Sequence, residues 1–145
     1  AKETAMSDFA LDYGAVPGAA ARARPAIARV FLCLAVGYGL VGMGMGLYMG
    51  GAEDWTLAPA HAHINLLGWV TTALYALVYR AAPAMAETRT ARWHLGVSTS
   101  AMLLMIVAFP LHLLGVEAAD PLVAPAMIGQ VAGMILFASL AIRRF

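Results

Sequence analysis

The sequence predicts an all-α membrane protein, a four-transmembrane-helix antiparallel bundle with both termini on the cytoplasmic side. Three observations carry that expectation. Of the 145 residues, 62% are hydrophobic and 12% charged, about half the charge of an ordinary soluble domain. Four segments, 27–49, 58–79, 93–114 and 121–142, are nearly free of charge, and each reaches the ~20 residues that cross a ~30 Å hydrocarbon layer. All nine lysines and arginines flank these segments on one side of the implied membrane: Lys2, Arg22, Arg24 and Arg29 first, then Arg80, Arg89 and Arg92, then Arg143 and Arg144. The two opposite loops carry only Glu53, Asp54, Glu117 and Asp120. Because basic flanks stay cytoplasmic during insertion, this asymmetry sets the orientation.

Residues 1–24 mix Ala, Gly and scattered charges without periodicity and are expected to form a flexible cytoplasmic tail ahead of a transmembrane domain spanning 25–145. A signal peptide is the rival reading of Arg22–Arg29 and the apolar run after it, but the run is long for one and three more apolar segments follow. The loops near 50–57, 81–91 and 116–120 are short, so consecutive helices should be antiparallel neighbours. Pro59 and Pro121 fall in first helical turns, where the missing N–H costs nothing. Pro110 lies inside the third segment and is expected to kink it near His112.

Gly42, Gly46 and Gly50 in the first segment, and Gly129 and Gly133 in the fourth, recur every four residues. That pattern suits close helix packing, or a flat cofactor lying on the glycine face. The net charge of +1, with arginines placed as span flanks, excludes a nucleic-acid-binding stripe. Cys33 is single, so no disulfide framework exists.

Ionisable groups inside a membrane are costly and point to function. His61 and His63 open the second segment and His112 closes the third, all within roughly two turns of the outer surface at ~1.5 Å per residue. His94 starts the third segment at the opposite surface and reads as structural. Steps of four and three place His61, Asn65, Gly68, Thr72, Tyr75 and Tyr79 on one helical face, and His63, Leu67, Val70, Leu74 and Leu77 on another. His94, Ser98, Ala101, Met105, Ala108 and His112 share a face of the third segment. Imidazole binds haem iron, and also copper or zinc. Met43, Met45 and Met49 are potential thioether donors, with Met45 and Met49 one turn apart as additional copper ligands. The spans contain no paired carboxylates and no serine or cysteine spaced for activation by histidine, so acid–base or nucleophilic catalysis is not expected.

The run His61-Ala-His-Ile-Asn-Leu-Leu-Gly-Trp69 resembles the second helix of subunit I in the haem–copper oxidase superfamily, especially nitric oxide reductases and C-type cytochrome oxidases. The match covers His61 to Arg80. It implies that the histidine of His-x-Asn, His63, is an axial haem ligand near the outer side, with Asn65 its polar companion; His61 then supports the site from beside it or binds a separate ion. The family's subunit has about twelve helices in three four-helix arcs, a second haem and a three-histidine copper site, which this chain lacks. The resemblance therefore implies a miniature, with three copies forming a homotrimer in a bacterial inner membrane. The expected function is that of a b-type haem protein for electron transfer or for redox or gas sensing, with His63 and His112 as axial ligands and a respiratory redox partner. The alternative is a copper- or zinc-handling membrane protein built on His61, His63, His112 and the methionines.

Overall fold

A computed structural model describes residues 25–144, all of whose regular elements are helical. The expected tail, residues 1–24, lies outside the described residues. Helix α1 (Ala26–Ala52) starts behind Pro25 and stops at Glu53, whose backbone takes the left-handed conformation (φ 53°) and donates its N–H to the Met49 carbonyl. In the loop that follows, Asp54 Oδ1 accepts hydrogen bonds from the Thr56 hydroxyl at 2.6 Å and the Thr56 N–H at 2.9 Å. These bonds, the hydroxyl's foremost, hold the Asp54 carboxyl below the usual carboxylate range.

The second helical run is not uniform. It begins as α2 (Ala58–His63), with Pro59 in its first turn, continues as a π-helical segment over Ile64–Thr71, and returns to α geometry in α3 (Thr72–Ala81). The hydroxyls of Thr71 and Thr72 donate to the carbonyls of Leu66 and Leu67, five residues back, at 2.8 and 3.1 Å, matching the i→i−5 pattern of the widened turn. The loop after α3 contains a single-turn helix, α4 (Pro83–Ala86). Thr88 then caps α5 (Arg89–Leu113), accepting the Ala91 N–H at 3.1 Å. Helix α5 thus starts four residues before the expected boundary. Pro110 sits in its last turn, where its missing N–H withdraws the helical bond to the Ile106 carbonyl one turn further in. A turn at Gly115 (φ 79°) and a short 3₁₀ element (Glu117–Ala119) lead into α6 (Asp120–Ile142).

Two antiparallel pairs build the bundle. Along α1 and the second run, Phe31 meets Tyr75 and Tyr79, Gly39 meets Trp69, Gly42 meets Asn65, and Gly46 meets His61. Along α5 and α6, Ser98 faces Gly133, Ala101 faces Gly129 and His112 faces Asp120. Four of the five expected packing glycines therefore serve contacts inside the chain; a Cβ at Gly129 would lie 2.7 Å from the Ala101 Cβ. Gly50 meets nothing within 4 Å.

Helices α1 and α5, and the continuous stretch Glu117–Ile142, are each long and apolar enough to cross a membrane, and they mark the chain as a multi-pass membrane protein. Its outer surface agrees: Leu40 and Leu47 are 62% and 80% exposed, a placement that suits a hydrocarbon solvent. Trp55, in the loop after α1, and Trp93, in the first turns of α5, are both exposed, positions where aromatic side chains suit a membrane–water interface.

Candidate cofactor groove

The π-helical segment decides where the second run's side chains point. Winding by i→i−5 bonds turns each residue through less than the ~100° of an α-helix. Side chains four apart then stay nearly in line. His63, Leu67, Thr71 and Tyr75 consequently share one groove, whereas Val70, Leu74 and Leu77 of the expected stripe are exposed. The other expected face keeps its place, because Gly68, Thr72, Tyr75 and Tyr79 are buried. His61 and His63 accordingly serve different neighbours.

His61 locks two helices together. Its Nδ1–H donates to the Gly42 carbonyl at 2.9 Å, and the Asn65 amide packs against the ring while donating to the His61 carbonyl at 2.9 Å. Gly42 and Gly46 make this possible: added Cβ atoms would stand 2.6 Å from the Asn65 amide and 2.9 Å from His61 Cε1. Asn65 and His61 thus form one polar seam between α1 and the second run.

His63 faces the other way. Its Nδ1–H donates to the Pro59 carbonyl at 2.8 Å, and the edge of its ring meets Phe109 of α5 at 5.1 Å with planes 80° apart. A backbone acceptor on Nδ1 fixes the tautomer and leaves the Nε2 lone pair for a ligand, the usual preparation of a metal-binding imidazole. The ring borders a groove of about 380 Å³ between the second run, α5 and α6, within the size range of small-molecule sites. Its walls are Leu67, Met105, Met127, Val131 and Met134, with Thr71, Tyr75 and Gln130 the polar groups. Tyr75 and Gln130 are engaged with thioethers, Tyr75 to Met134 at 3.7 Å and Gln130 to Met102 at 3.2 Å. One prepared imidazole beside an apolar, sulfur-rich wall is a donor set that fits a haem edge or a soft metal ion.

The remaining candidates lie elsewhere. His112, 45% exposed, pairs its Nδ1 with Asp120 Oδ1 at 2.7 Å, and its ring stacks on Phe109 from 6.4 Å. Phe109 therefore contacts both His63 and His112. Met49 is buried and Met45 packs against the core cluster that holds Tyr38 and Ile64, while Met43 is exposed. His94 is sealed at the opposite end, as its structural reading expects: its Nδ1 pairs with the Tyr79 hydroxyl at 2.9 Å, and Phe31, Tyr75 and Phe137 surround it at 5.0, 4.5 and 5.5 Å. Among the described residues no three His, Cys, Asp or Glu side chains gather as a metal-ion cluster.

The sequence pattern puts Met105 on the His112 face of the third helix and points to sulfur donors on the first, leaving out Met127 and Met134. Met127, Gln130, Val131 and Met134 recur at i, i+3, i+4 and i+7 along α6, a helical face that was legible once a polar glutamine within an apolar span was taken as its marker.

No protein family, curated protein or solved structure matches the chain. The site is thus defined by its own geometry, as a single-histidine groove in a multi-pass helical membrane protein.

Proposed function

We propose that the protein is a membrane b-type haem protein, related to subunit I of the haem–copper oxidases, that passes electrons or senses a redox state or gas near the outer face. The observation that carries this reading is His63, whose Nδ1 is committed to the Pro59 carbonyl while the ring borders an apolar groove. In the proposed topology the second run, Ala58–Ala81, is a fourth span, both termini are cytoplasmic, and the chain resides in a bacterial inner membrane. The arginines at the inner helix ends support that orientation.

Bound haem would supply a one-electron iron centre. Within this chain, His63 would hold the iron, the thioether and aliphatic walls would exclude water, and Phe109 would fix the imidazole's tilt. Asp120 engages Nδ1 of His112 and leaves its Nε2 available, so in this proposal His112, from the same chain or from a neighbouring copy in a homotrimer, would be the second imidazole to hold the iron. A respiratory redox protein is the proposed partner. Protein purified after haem-supplemented expression should show sharp Soret and α bands at one haem per chain; protein without them contradicts the reading. A detergent-corrected mass equal to one protomer would contradict the trimer.

A second reading is favoured by the three methionines facing the same groove as His63, a combination of imidazole and thioether that selects copper in its reduced state over zinc. Metal analysis decides it: stoichiometric copper without haem bands supports this reading.

A further inference from the structure

A second groove lies at the opposite end of the first helix pair. It occupies about 320 Å³ between the start of α1 and the end of α3. Its floor is built from small buried residues, Ala28 and Ala76, and its apolar walls from Leu32 and Leu77. Arg29 and Arg80, one from each helix, border it. Among the described residues the one ion pair is that of His112 with Asp120, far from this groove.

The arrangement joins two chemistries at one place. Leu32 and Leu77 lie on the faces of helices that meet hydrocarbon, so the apolar part of the groove is continuous with the lipid-facing surface. The arginines sit at the helix ends, where the hydrocarbon gives way to headgroups. A guanidinium from each side presents several N–H donors in a planar fork suited to phosphate oxygens. A free anion would use the two arginines and leave the apolar trough unused. A neutral lipid would use the trough and forgo the charge. An occupant that uses both carries a phosphate anion on an acyl-bearing glycerol, with no cationic headgroup to offset the charge or be repelled by the arginines. Basic pockets between transmembrane helices on this side of a membrane are suited to such headgroups.

We infer that Arg29 and Arg80, with the Ala28–Ala76 trough, form a binding site for one anionic phospholipid, its phosphate between the two guanidiniums and an acyl chain along Leu32 and Leu77. The bound lipid would clamp α1 to α3 at the end of the pair remote from the His61–Gly42 seam. The inference is independent of what His63 binds.

The test counts lipids retained by the whole purified protein in native mass spectra after titration with phosphatidylglycerol or phosphatidylcholine. One phosphatidylglycerol per chain should survive mild activation, and phosphatidylcholine should not. The double variant Arg29→Gln/Arg80→Gln should bind roughly 30-fold more weakly, at about 1 kcal/mol, or a factor of about five, for each arginine. The charge-matched control Arg92→Gln, outside the groove, should behave as wild type. Leu77→Trp, which fills the trough and keeps both charges, should also lose the lipid. Equal retention of both lipids, undiminished phosphatidylglycerol binding in the double variant, or displacement of the lipid by millimolar inorganic phosphate would each overturn the site.

Discussion

His63 and His94 present the same side chain in opposite settings. Each has its Nδ1 satisfied, by the Pro59 carbonyl and the Tyr79 hydroxyl respectively. They differ in what surrounds the rest of the ring. His94 is fully buried among Phe31, Tyr75, Tyr79 and Phe137, and its Nε2 is buried with no hydrogen-bond partner. His63 has one aromatic neighbour and a groove. A histidine in a membrane helix is therefore not a ligand by virtue of its depth or type. The packing around its second nitrogen decides.

Substitutions at the two positions should separate a binding role from a structural one. Replacing His63 by Ala should weaken cofactor retention by at least roughly 100-fold, since even an outer-shell partner of a metal ligand is worth up to that much. Its helix should survive, because the ring bonds only the backbone of its own turn. Replacing His94 by Ala should do the reverse. It empties a packed aromatic site and strands the Tyr79 hydroxyl, costing about 2–4 kcal/mol in unfolding experiments, and leaves absorption per folded chain unchanged.

The glycines of α1 extend the comparison from side chains to helix faces. A Gly42→Ala change drives a methyl into the Asn65 amide and should cost about 1–3 kcal/mol by overpacking. At Gly37 nothing lies within 4 Å, so Gly37→Ala should gain up to about 1 kcal/mol from helix propensity. Equal effects at the two positions would contradict the packing described for the His61–Asn65 seam. The smallest effect is expected at Glu53, a non-glycine residue in left-handed backbone. Glu53→Gly should stabilise by about 0.5–1 kcal/mol, the relief of the Cβ penalty exceeding the glycine's extra chain entropy. Thermal unfolding in detergent would measure it.

Much of the fold was legible because membrane insertion imposes long charge-free segments, and because Thr72, Tyr75 and Tyr79 follow the α-helical period to the buried side. The groove was less so. The π-helical turn after His63 depends on where α1 presses against Asn65 and Trp69 and on the hydroxyls of Thr71 and Thr72. An α-helical period carried through that stretch therefore assigns Val70 to the His63 face and omits Thr71. Asp120 is eight residues from His112 in sequence, yet their pairing follows from a reversal at Gly115 that spacing alone does not reveal. Met127 and Met134 became site residues through the parallel course of the second run and α6, a tertiary fact.

The central claim, that His63 and not His94 is the ligand-bearing histidine, is tested most directly by reduced-minus-oxidised absorption spectra of the wild type, His63→Ala and His94→Ala, each normalised to folded protein. The account predicts sharp Soret and α bands in the wild type and in His94→Ala, and their loss in His63→Ala. Bands that persist without His63, or that vanish without His94 in a protein that remains folded, would contradict it.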